Sequence, residues 1–185
     1  ARLKVEHVLL ILAGCMALQM TSFVLISPLF ARRMSAFGAG VEALGLSSMA
    51  YAITSTLAAP FMGALADRYG RRPFVLVSLG AYVLAFSGYF LAPSALVFIL
   101  ARGLAGALTA GLVPAVLGII ADVAPHDRRG QWIGVVNGGS AAGWIIGPVV
   151  GGWLFDRFGY AVPFLVSISV ALIVFLAALV FIPET

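Results

Sequence analysis

Acidic residues are scarce in this chain, and none interrupts its long apolar stretches. Asp and Glu together number 7 of 185 residues against 11 Lys and Arg, and charged residues of both signs make up only 10%. Histidine occurs twice, as His7 and His126, and cysteine once, as Cys15. A lone cysteine forms no internal disulfide, and Cys15 reads as a small buried hydrophobe. No His/Cys/Asp/Glu cluster has metal-ligand spacing, and no nucleophile–base pair or glycine-rich phosphate loop is present. An enzyme is therefore not expected, and neither is a metal or an organic cofactor. The net charge of +4 suits loops facing an anionic leaflet, and nothing points to nucleic acid.

What is abundant is hydrocarbon. The chain is 62% hydrophobic with a mean hydropathy of +1.10, well above the roughly 45–50% apolar content of soluble domains. Uncharged runs cover residues 7–31, 43–66, 73–101, 103–121, 130–155 and 158–183. A helix crossing the bilayer core needs about 20 apolar residues, so each run is one crossing. Expected helices are 7–31, 42–66, 72–92, 95–121, 129–155 and 160–182. The first is too long for the apolar region of a secretory signal, about 7–15 residues, and is expected to be retained. Six crossings put both termini on one side. That side collects Arg2, Lys4, Arg68, Arg71, Arg72, Arg128 and Arg129, so the positive-inside rule makes it cytoplasmic.

The sequence also repeats itself. Gly63-x-x-x-Asp67-Arg68-Tyr69-Gly70 returns 89 positions later as Gly152-x-x-x-Asp156-Arg157-Phe158-Gly159. Each copy ends a helix, and three crossings separate them, so they face opposite sides of the membrane. The expected fold is all-α: a single six-helix bundle over residues 1–185, made of two inverted three-helix repeats, 7–92 and 95–182. Inverted repeats of this kind are a mark of secondary transporters.

At these residues a resemblance emerges. Gly63-Ala-Leu65-Ala-Asp67-Arg68-Tyr69-Gly70-Arg71-Arg72 resembles the loop signature of the major facilitator superfamily at every position. Gly134-x8-Gly143-x3-Gly147-Pro148-x2-Gly151-Gly152 resembles the antiporter signature of its drug–proton efflux branches. Arg102-x-x-Ala105-Gly106 is similar to a fourth-helix pattern in which Gln is common where Ala105 stands. Pro183-Glu184-Thr185 resembles the segment leaving the sixth helix. Full members have twelve or fourteen helices, so the likeness is to an amino-terminal half. It implies alternating access for small amphipathic solutes, most simply proton-coupled efflux from the plasma membrane. An uptake carrier or facilitator for an organic anion, or a membrane scaffold that transports nothing, is the competing expectation. Six crossings supply half of a two-walled cavity, so a second six-helix half or a second copy is expected as partner.

Gly63, Asp67, Arg68, Gly70, Arg71, Arg72 and Asp122 are the expected cytoplasmic gate. In it Asp67 pairs with Arg71 and meets a helix dipole, while Asp122 joins through Arg128 or Arg129. A purely topogenic role for these charges is the plainer alternative. Gln19, Ser22, Phe23, Tyr51, Arg102, Asn137 and Trp144 are expected to line a cavity enclosed by helices one, two, four and five, with three and six facing lipid. Arg102, the charge within a helix, should face water or a partner, or snorkel outward. Gly134, Gly143, Gly147, Pro148, Gly151 and Gly152 form a smooth surface for close helix packing, either within this half or sliding against the other. Gln19 stands where several drug–proton antiporters carry an acid. Proton coupling then either uses a group in a missing half or does not exist.

Overall fold

The computed structural model describes residues 2–182, with side chains from Val5 onward; Pro183-Glu184-Thr185 lies outside the described residues. Six membrane-length spans are present among them: Val5–Ala36, Val41–Tyr69, Arg71–Leu91, Ala95–Val123, His126–Phe158 and Ala161–Phe181. Two are broken. The first consists of α1 (Arg2–Ile26) and α2 (Leu29–Ala36), the fourth of α5 (Ala95–Thr109) and α6 (Leu112–Val123). Pro28 and Pro114 sit at these breaks, where proline cannot donate to the carbonyl four residues back. The other spans are α3 (Val41–Tyr69), α4 (Arg71–Leu91), α7 (Arg129–Phe158), entered through the 3-10 turn His126–Arg128, and α8 (Ala161–Phe181). Pro60 and Pro148 lie inside helices α3 and α7 that run on without a break.

The packing shows the inverted repeat. The two most extensive helix contacts are α1 with α7 and α3 with α5, so each triplet's first span lies on the other triplet's second. The third spans α4 and α8 meet each other, and each also packs on the opposite triplet's first span. The paired signatures end in the same conformation, with Gly70 at φ 93° and Gly159 at φ 82°, a left-handed turn that glycine adopts without steric cost. Below, the side carrying Asp67 is the Asp67 face and the other the Asp156 face.

The third span has two faces: Tyr82, Phe86 and Tyr89 of α4 are buried in the core with Phe30 and Phe98, while Val77, Leu84 and Leu91 are exposed. The least buried spans are the second and the fifth, which expose Leu57, Phe61, Ile145, Val149 and Trp153. Hydropathy misses this because lipid tails and protein core are equally apolar, so no hydrophobic gradient marks the buried face.

Candidate functional site

Arg71 organises the Asp67 face. It stands in the first turn of α4 and reaches both ways: Nη2 lies 3.1 Å from Asp67 Oδ1 at the end of α3. Nη1 lies 3.1 Å from Asp122 Oδ2 at the end of α6. One guanidinium thus ties three helix ends. Its route crosses Gly118 on α6, where an added Cβ would collide with the Arg71 side chain. No motif or spacing marks that glycine. Asp122 joins the cluster as expected, but through Arg71 rather than Arg128 or Arg129. Arg128 is turned instead toward α1, where Nη1 meets Glu6 Oε1 at 3.5 Å. Arg68 stacks over Tyr69 at 5.5 Å. Arg72 donates to the Leu179 carbonyl at 2.8 Å, bracing α4 against the carbonyl-rich end of α8. At Gly63 an added Cβ would make ordinary contact with Pro114 at 3.6 Å, so the packing there does not require a glycine.

The second constellation surrounds Arg102. Its guanidinium carbon lies 4.5 Å from the Tyr51 ring centroid, 5.0 Å from Phe30, 5.6 Å from Phe23 and 5.7 Å from Tyr89. Rings at these distances attract a cation through their quadrupoles. Phe23 precedes the α1–α2 break and Phe30 follows it, so the arginine holds both sides of that break. Tyr51 adds a polar edge, its hydroxyl 3.1 Å from Thr109 Oγ1 and 3.5 Å from the Tyr82 hydroxyl. Arg102 is only 5% exposed. It is caged by aromatic rings rather than facing open water, and its Nε and Nη1 have no hydrogen-bond partner. Phe30 and Tyr89 were missed because aromatic residues give no positional signal inside apolar spans.

The other expected cavity residues separate. Gln19 is fully buried with neither amide atom partnered. Ser22 faces α8, its hydroxyl donating to the Leu18 carbonyl while its own carbonyl accepts from Ser167 at 2.9 Å. Asn137 and Trp144 are exposed on α7. The glycine surface of α7 is already occupied. An added Cβ at Gly143 would meet Thr21 N at 2.9 Å and at Gly147 Leu25 N at 3.0 Å, while at Gly151 it would run into the Leu25 carbonyl. Gly139, Gly143, Gly147 and Gly151 therefore seat α7 on α1 within this half. Gly134 and Gly152 face open space, away from that contact.

The sequence pattern of the Major Facilitator Superfamily matches residues 10–185. The chain belongs to the major facilitator superfamily. It is 38% identical over 170 residues to the multidrug resistance protein MdtG of Dickeya zeae (strain Ech586), covering 88% of this chain and 41% of that protein. It is 32% identical over 140 residues to the multidrug resistance efflux pump PmrA of Streptococcus pneumoniae serotype 4, covering 76% and 35%. The chain thus spans less than half the length of these relatives. The crystal structure of the human organic anion transporter MFSD10 (TETRAN) superposes with a TM-score of 0.81 at 23% identity, over 97% of this chain and 48% of that one. That likeness establishes the fold: a multi-pass membrane protein built like one six-helix half of a facilitator.

In this major facilitator chain the two faces are built differently. One repeat length from Arg71 stands Tyr160, and one repeat length from Asp122 stands Arg33. Where the Asp67 face has an ion pair, the Asp156 face has Arg33 5.1 Å from the Tyr160 ring. Burial pushes the Tyr160 hydroxyl up to about 12 against the opposing pull of Arg33, so it stays protonated. Arg33 is further committed to the end of α4, donating to Phe90 O at 3.0 Å and Ala92 O at 2.8 Å.

On α5, an added Cβ at Gly106 would collide with Thr54 Oγ1 and the Tyr51 carbonyl, while at Gly103 it finds ordinary contact at 3.7 Å. Thr54 also donates to the Gly103 carbonyl at 2.7 Å. Gly106→Ala is expected to destabilise the bundle by about 1–3 kcal/mol, the usual cost of overpacking, and Gly103→Ala by much less. Thermal unfolding in detergent reads the difference.

Proposed function

We propose that this chain forms one wall of a secondary active exporter of small amphipathic solutes, working by alternating access in the plasma membrane. The observation that carries the reading is Arg71 bridging Asp67 and Asp122 across three helix ends. We place that face in the cytoplasm with both termini, because seven of the eleven basic residues gather there. Asp67, the more exposed of the two acids, is presented outward to meet a helix of the opposing wall. The apolar outer faces of α3 and α7 suit a second six-helix half or a second copy. The multidrug names of two relatives support solutes of that class. The described acids Glu6, Glu42, Asp67, Asp122, Asp127 and Asp156 all sit at helix ends or turns, so we assign the coupling proton to a group of the opposing wall. The test is a resistance or efflux assay with the assembled carrier. Export that collapses on addition of a protonophore is the expected result. Export indifferent to the proton gradient removes the coupling, and absence of solute flux in proteoliposomes removes the carrier reading in favour of a scaffold.

One observation favours a second reading, an organic anion as substrate. The Arg102 faces are covered by rings, while Nε and Nη1 in its plane are unpartnered, a geometry an anionic group fits. Arg102→Met keeps an apolar side chain in the cage but gives up the cation–ring attraction. It is expected to stay folded with a lowered melting temperature and to lose anion transport, whereas both Arg102→Met and Arg102→Lys transporting normally eliminates this reading.

A further inference from the structure

A cleft of about 390 Å³ opens on the Asp67 face between the start of α1, the end of α6 and the start of α7. The gate does not use it. Val5 and Val123 give it an apolar wall, Trp132 an indole, and Glu6, Asp127 and Arg128 its charges. Among the described residues, two carboxylates against one guanidinium leave its lining net negative, in a chain that is +4 overall. Its position at the ends of apolar spans, with a half-buried tryptophan, is the depth where one side of a ligand is wet and the other dry.

We propose that this cleft is a capture site for amphipathic organic cations, separate from the transport pathway. The cationic group sits between Glu6, Asp127 and the Trp132 ring, and the apolar body lies on Val5 and Val123. A cation over an indole face gains electrostatic attraction, most when water is excluded. Anions meet repulsion from the two carboxylates. The Glu6–Arg128 pair at 3.5 Å is the ligand's competitor: an incoming cation takes the place of the Arg128 guanidinium on Glu6. The assignment to solute rests on the export reading above, since an exporter must collect its cargo on this side.

The test is equilibrium binding of tetraphenylphosphonium to the purified protein in maltoside micelles, whose headgroups are uncharged. Glu6→Gln and Trp132→Leu are each expected to weaken binding about tenfold, the equivalent of 1.4 kcal/mol. Trp132→Phe, which preserves the packing, is expected to lie between Trp132→Leu and the unaltered protein. Arg128→Gln is expected to tighten binding about threefold by releasing Glu6. A merely structural ion pair would make Glu6→Gln and Arg128→Gln act in the same direction, and that result overturns the proposal. So does binding that ignores Glu6 and Trp132, or no binding at all. Displacement of the probe by equimolar phosphatidylethanolamine overturns the solute assignment in favour of a lipid headgroup. Binding is read without flux, so failure here leaves the export reading standing, and failed export leaves this measurement intact.

Discussion

Arg71→Ala is expected to reduce solute flux about tenfold while leaving the bundle folded. The ion pairs to Asp67 and to Asp122 both pass through this one side chain, at 3.1 Å each. The acids are partly solvated, Asp67 69% and Asp122 46% exposed, so each pair is worth about 0.2–1 kcal/mol. That sum is small against a folded bundle. Against a gate poised between two states it matters, because about 1.4 kcal/mol is a tenfold change in population. Asp122→Asn and Asp67→Asn each remove one pair and are expected to fall between the parent and Arg71→Ala. Arg71→Lys offers a point charge in place of a two-sided fork and should behave like the loss of one pair. The most discriminating variant carries no charge change. Gly118→Ala puts a methyl group into the path of the Arg71 side chain and is expected to reproduce the flux defect. If the charges served only topology, Gly118→Ala would be silent and Asp67→Asn harmless. Proteoliposome flux, with thermal unfolding as the control for folding, separates the two accounts.

Gly151→Ala is expected to cost about 2–3 kcal/mol of stability, the upper end of what overpacking costs, while Gly152→Ala next to it changes stability by no more than about 0.5 kcal/mol. The two positions differ only in what they face. At Gly151 the added carbon would run into the Leu25 carbonyl of α1, which cannot yield without separating the most extensively packed helix pair in the protein. At Gly152 nothing lies within 4 Å. In lipid, close backbone approach through small residues supplies the attraction that hydrophobic burial supplies in water, so a methyl group wedged into this contact removes dispersion along a whole helix. Unfolding temperatures in detergent measure it. The reverse order of effects would mean that α7 presents its glycines to another wall and not to α1.

The parts of the molecule written in spacing were legible. Runs of apolar residues located six spans, and two copies of one signature 89 positions apart disclosed the inverted triplets that the α1–α7 and α3–α5 contacts display. The Asp67–Arg71 pair was legible for the same reason, since i,i+4 charges across a glycine turn leave little choice of partner. What was not legible depends on which way an apolar face turns. Tyr89 and Phe30 look like any lipid-facing aromatic until Arg102 is found among them. The glycines of α7 read as a sliding face more readily than as the internal seam against α1 that they form, because a small residue says that something comes near and not what. The Asp122 partner was misassigned because Arg128 and Arg129 are near it in sequence, whereas Arg71 reaches it through space over Gly118, and no periodicity encodes an open passage.

The central claim is that the Asp67 face is the inner gate and that Arg71 holds it shut. Cys15 is buried, 7% exposed, so a cysteine placed at Leu65, on the exposed side of α3 near the gate, can be followed with little background. Its reaction with a membrane-impermeant maleimide in sealed vesicles of known orientation tests the claim most directly. Labelling from the cytoplasmic side only, several times faster in the Arg71→Ala background, is the predicted result. Labelling from the outer side, or equal rates with and without Arg71, would contradict it.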